Sequence, residues 1–129
     1  PAPTAAVEVV IHREPSRAAL AADHGLARLP EVDAEALAAT PRLDGDPRWR
    51  VGSIAALLAL VAAGEGWALV PAPAAEPVPA GVVLRPLAGA PEWELRAARP
   101  AHEVLSVGTL AALDALRTAA APPAVRRVA

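Results

Sequence analysis

Apolar positions along this chain follow a helical period at its centre and strand-like runs on either side. Ile54, Leu57, Leu58 and Val61 fall at i, i+3, i+4 and i+7, the stripe of a helix that lays one face on a core. Ser53 stands where an N-cap belongs, and Gly64 where the chain must leave the helix with a positive φ. Residues 67–70 form a continuous apolar run of strand length, stopped by Pro71. Residues 49–51 read as a short strand ahead of the helix, which completes a predicted strand–helix–strand unit of a parallel sheet.

Around this unit, residues 7–13 are rich in β-branched side chains and predict a strand. Glu14-Pro15-Ser16 is expected to break it, with a resumption over 17–22. A turn follows at 23–27, then a short helix over 31–38 capped by Asp33, and a turn at Asp44-Gly45-Asp46-Pro47. Four prolines within residues 71–81 mark a connector. Residues 82–85 predict a strand, residues 93–97 its partner, and residues 103–121 a closing helix with Leu110, Leu113 and Leu116 on its apolar side.

Composition narrows the class. At 129 residues the chain suits one ordinary domain, and its formal charge of −2 leaves no electrostatic footprint for nucleic acid. All 12 basic residues are arginine and 35 positions are alanine, while Asn, Gln, Phe, Tyr, Met and Cys are absent. That bias points to a GC-rich genome, and it leaves a core of Leu, Val, Ile, Ala and three Trp. Without cysteine there is neither a disulfide nor a thiolate metal site. The chain opens on Pro1 and holds no Met, so it reads as a piece of something longer. It shows no leader pattern and no apolar run of membrane-spanning length, so a cytoplasmic location is expected.

The stretch Leu60-Val61-Ala62-Ala63-Gly64-Glu65-Gly66-Trp67-Ala68-Leu69-Val70-Pro71 resembles the signature of the effector-binding domain of LysR-type transcriptional regulators. Glu14-Pro15 followed by Ala18-Ala19-Leu20-Ala21-Ala22-Asp23-His24-Gly25-Leu26-Ala27 is similar to another stretch of that family, with Gly25 in place of the usual proline. Asp46-Pro47-Arg48-Trp49-Arg50 looks like a D-P-x-W-R stretch frequent in its actinobacterial members, and Val82-Val83-Leu84-Arg85-Pro86-Leu87 resembles its returning strand. The four motifs stand in family order over about residues 7–118.

The resemblance implies an α/β fold of the periplasmic-binding-protein type-2 kind, mainly the second subdomain with the returning part of the first. Residues 1–14 would be the strand crossing from the first subdomain and 15–81 the second subdomain. Residues 82–121 would be the returning strands and C-terminal helix, and 122–129 a tail. Two departures stand out. Residues between Leu37 and Val51 are too few for the strand and helix that the family carries there, and the winged helix-turn-helix is not in this chain.

The function implied is that of an effector-binding and dimerisation region, dimeric or tetrameric. It would sense a small, anionic molecule between subdomains and reach DNA only through the absent winged helix-turn-helix. The implied ligand wall is Val51, Gly52, Ser53 and Ile54 at the helix start, with Gly64, Gly66 and Trp67 at the turn. A helix start presents unpaired N–H groups and partial positive charge, which suits a carboxylate, although a serine there is also an ordinary cap. No cofactor is expected. His12, His24 and His102 lack a neighbouring second ligand, and no Ser–His–acid order or G-x-S-x-G motif suggests an enzyme. Two alternatives remain open: a periplasmic-type solute-binding protein, and an association module without a ligand.

Overall fold

The computed structural model describes residues 6–101 and 103–120. His102 and the predicted 122–129 tail therefore lie outside the described residues. The element order is β1 (Ala6–Ala21), α1 (Ile54–Ala62), β2 (Ala68–Pro71), a 3-10 turn (Pro73–Ala75), β3 (Val82–Pro86), β4 (Glu92–Pro100) and α2 (Val107–Ala120). The described residues divide into two compact units, one of residues 14–93 and the other of residues 6–13 with 94–101 and 103–120.

In the 14–93 unit, the second half of β1 is the middle strand. It pairs antiparallel with β2, Ala18 opposite Leu69, and antiparallel with β3, Ala19 opposite Leu84. The sheet alternates its side chains between two cores, as strand geometry requires. Ala19, Ala68, Val70 and Val82 face Leu58 and Val61 of α1, with Leu43 in the same cluster. Ala18, Leu20 and Trp67 face the other way, toward Val32 and Leu37. With both faces covered, the segment Ala18-Ala19-Leu20-Ala21 is buried throughout.

Three expectations are corrected here. Pro15 does not break β1, because its fixed φ suits extended backbone and pairing with β2 begins one residue later at Ser16. Residues 31–38 are a series of turns, with no helix; Asp33 still caps them, its Oδ1 accepting the Ala36 N–H at 2.7 Å. Residues 49–51 form no strand, so the parallel strand–helix–strand unit is absent and β2 is antiparallel to its strand neighbour.

The reason for the third correction lies at the outer edge of β2. That edge is taken by residues 41–44. Arg42 makes an isolated parallel bridge with Trp67; Trp67 N–H donates to Pro41 O at 2.9 Å, and Leu43 N–H to Trp67 O at 2.8 Å. One step further, Asp44 Oδ1 accepts the Leu69 N–H at 2.8 Å. Residues 49–51 find no free edge and coil into a turn in which Val51 N–H donates to Trp49 O. A second isolated parallel bridge, Val32 with Leu87, lies just past the end of β3. Loop residues thus occupy the outer edge of β2, which suppresses edge-to-edge pairing there.

In the other unit, β4 pairs with β1 and not with β3, a further correction to the predicted hairpin. The two strands are also tied by charge: Arg13 Nε meets Glu94 Oε1 at 3.0 Å and Arg96 Nη1 meets Glu8 Oε2 at 3.0 Å. Helix α2 is capped by Ser106, whose Oγ accepts the Thr109 N–H at 3.1 Å. No residue of α2 is buried, and Val107, Leu110 and Leu116 are each more than half exposed.

Candidate ligand-binding site

Helix α1 starts as its sequence requires. Ser53 is extended, at φ −150° and ψ 154°, and its Oγ accepts the Ala56 N–H at 3.2 Å. Ser53 O accepts the Leu57 N–H, which leaves Ile54 and Ala55 as the N–H donors without a partner inside the helix. Gly52 and Ser53 are exposed, Val51 and Ile54 half-buried. The Ile54 side chain packs on the α1-side core beside Trp49. Four of the seven predicted residues therefore adjoin one another at a solvent-facing helix start with spare donors.

The other three stand elsewhere. Helix α1 has nine residues, so its far end is about 14 Å from its start. There Gly64, at φ +82°, makes the left-handed exit: its N–H donates to Val61 O and that of Glu65 to Leu60 O, the paired bonds of a Schellman ending. Gly66 is buried and needs its lack of Cβ for space. A Cβ there would lie 2.2 Å from Pro41 O and 2.9 Å from Leu43 Cδ2. The backbone that approaches this glycine is the chain's own 41–43 segment.

Trp67 is 6% exposed and belongs to the core on the sheet face opposite α1. The Arg42 guanidinium lies over its ring at 5.2 Å, held by Asp44 Oδ2 at 2.6 Å. That hydrogen bond raises the Arg42 pKa against the opposing pull of burial. Sequence analysis read Asp44 only as a turn residue and passed over Arg42. The only signal available was their spacing of two, which lets both side chains reach the same edge.

Among the described residues, no group of three or more His, Asp or Glu side chains is placed to hold a metal. His24 is used locally: its Nδ1 accepts the Leu26 N–H at 3.1 Å, so the neutral ring carries its proton on Nε2, 3.0 Å from Thr40 Oγ1. No buried side-chain polar atom among the described residues lacks a hydrogen bond.

The mixed α/β sheet with α1 on one face matches a class, the periplasmic-binding-protein type-2-like fold of LysR substrate-binding domains. The family follows from comparison. The sequence profile of the LysR substrate binding domain matches residues 39–121, and the chain belongs to that family. No protein with a curated description matches it. The reduced form of OxyR is similar over 87% of this chain and 63% of its own, at 27% identity and a TM-score of 0.73. The CcmR regulatory domain of Synechocystis PCC6803, solved in complex with 2-PG, aligns at 19% identity and a TM-score of 0.74, covering 93% of this chain and 69% of that one. The effector binding domain of QuiR, solved with shikimate, aligns at 13% identity and a TM-score of 0.68, over 89% and 65%. At such identities the last two show the fold alone. This chain spans less than two thirds of the OxyR and QuiR chains. Among its described residues no helix is long and apolar enough to cross a membrane.

Proposed function

We propose that this chain is the effector-binding region of a LysR-type regulator, and that it takes a small anionic molecule at the start of α1. The observation that carries this is the helix start itself. The exposed Gly52 and Ser53 lead into two N–H groups, of Ile54 and Ala55, with no intrahelical partner, and the helix dipole adds about half a positive charge there. Val51, Gly52, Ser53 and Ile54 would line the ligand. Gly64, Gly66 and Trp67 would serve it from a distance, by fixing α1 on the sheet. The molecules held by the CcmR and QuiR domains, 2-PG and shikimate, both carry an acid group, which supports an anion as the class.

In this reading the region is non-catalytic and cytoplasmic. Residues 15–81, together with β3 from the same compact unit, would form the second effector-binding subdomain, and the rest would belong to the first. Self-association as a dimer or tetramer would transmit the ligand's effect to DNA-binding parts outside this sequence. Titration calorimetry with 2-phosphoglycolate, shikimate and a panel of small carboxylates tests the proposal, with wild type beside Ser53→Ala. Binding that weakens several-fold in the variant supports the helix-start site; binding of unchanged strength places the ligand elsewhere.

A further inference from the structure

Between the first two turns of α1 and the proline-rich connector lies a pocket of about 310 Å³. That is room for about ten waters, at the low end of small-molecule sites. One wall is Ile54, Ala55 and Leu58; the other is Glu76, Pro77 and Pro79. Ala55 contributes only a methyl group to this lining. Its apolar side is fixed, since Leu58 is a core residue at 3% exposure. The connector wall is stiffened locally: Glu76 N–H donates to Pro73 O at 3.3 Å and Val82 N–H to Pro79 O at 3.2 Å, and the prolines lock φ along it.

Glu76 is the one charged residue in the lining, and its carboxylate makes no ion pair among the described residues. We infer that this pocket is a second binding site, for a small amine with a compact apolar body. The apolar part packs on Ile54, Leu58 and the prolines, and the ammonium meets the Glu76 carboxylate. The start of α1 adds about half a positive charge nearby, against a full negative charge on Glu76. The balance disfavours an anion, so the preference is opposite in sign to that of the helix-start site. The helix-start donors point along the axis past Ser53, whereas the pocket opens on the flank of α1.

The test is an NMR titration of the ¹⁵N-labelled chain with benzylammonium, benzyl alcohol and benzoate. Benzylammonium is expected to give saturable shifts at the Ala55, Ala75 and Glu76 amides. Benzyl alcohol should bind about two- to fivefold more weakly, the worth of an exposed ion pair, and benzoate more weakly still. Glu76→Gln should bring benzylammonium down to the level of the alcohol. Ala55→Leu should abolish the Ala75 and Glu76 shifts from all three with no loss in unfolding midpoint. Benzoate shifting the Ala75 and Glu76 amides with at least the affinity of benzylammonium overturns the inference, as do full shifts there in Ala55→Leu or the absence of saturable shifts with benzylammonium. Benzoate shifts confined to Gly52 and Ser53, beside benzylammonium shifts at Ala75 and Glu76, would support two sites of opposite preference.

Discussion

Replacing Gly66 by alanine tests the closure of the β2 edge. The added Cβ would sit 2.2 Å from Pro41 O, a backbone atom that cannot rotate away as a side-chain tip could. Pro41 O accepts the Trp67 N–H, and Leu43 N–H donates to Trp67 O, so moving residues 41–43 strains or breaks both bonds. Overpacking of this kind costs about 1–3 kcal/mol, and each lost hydrogen bond about 1 kcal/mol. A total near 3 kcal/mol is expected, a fall of about 10 °C in Tm for a chain of this size. Urea unfolding followed by tryptophan fluorescence reads it, because Trp67 lies in the disturbed segment. Two neighbours calibrate the result. Gly52→Ala, with nothing within 4 Å of its Cβ and no positive φ, should stay within about 0.5 kcal/mol of wild type. Gly64→Ala has equal room but φ +82°, and should cost about 1–2 kcal/mol from backbone strain alone. If Gly66→Ala unfolds like Gly52→Ala, the close approach of Pro41 is not what holds that edge.

Further outcomes are expected of single changes. Ser53→Ala should lower stability by about 1 kcal/mol through loss of the bond to Ala56 N–H, and Ser53→Asp should restore it, both read by thermal melting. Leu110→Gln and Leu116→Gln should each stay within about 0.5 kcal/mol of wild type, because both side chains are more than half exposed, whereas Leu43→Ala should cost about 2–5 kcal/mol from a site with no exposure. Hydrogen bonds from Arg96, then Arg13, hold the Glu94 carboxyl below its usual range. Its folded pKa is depressed, so its contribution is present above the unfolded value near ~4.3 and is lost as pH falls through the lower folded one. Glu94→Gln should therefore flatten the acid side of a stability–pH curve below about pH 4.5, an effect that shrinks in high salt because the pair is exposed.

The local elements were written in the residues themselves. The helical stripe from Ile54 to Val61, its Ser53 cap and its Gly64 exit follow from helix periodicity and terminal chemistry, and each lies where the pattern put it. The apolar runs that became β2 and β3 were equally plain, while β1 was legible as two runs whose joining through Pro15 was not. Pairing was not legible. Nothing in residues 92–100 says that β4 would choose β1 over β3, nor that Arg42 and Asp44 would occupy the edge that residues 49–51 were expected to fill. Those choices are made between segments distant in sequence, by whichever backbone has donors and acceptors free.

The candidate site divides along the same line. Its chemistry at Ser53 was local, a cap and two spare donors, and could be read from one short stretch. The grouping of seven residues into one wall was a tertiary matter. The separation of about 14 Å between Ser53 and Gly64 was implicit in the predicted helix, but only the pleat leading into β2 sends Trp67 to the sheet face opposite α1. The pocket beside α1 is tertiary in the same sense: Ala55 and Glu76 are 21 positions apart in sequence, and they share a cavity only because the connector returns alongside the helix. Sequence determined the runs of β2 and β3 and how α1 would begin and end, since those depend on near neighbours; it misread residues 31–38 and 49–51, whose state depends on distant partners. Tertiary structure decided which edges met and which side chains shared a face, since those depend on competition for partners across the whole chain.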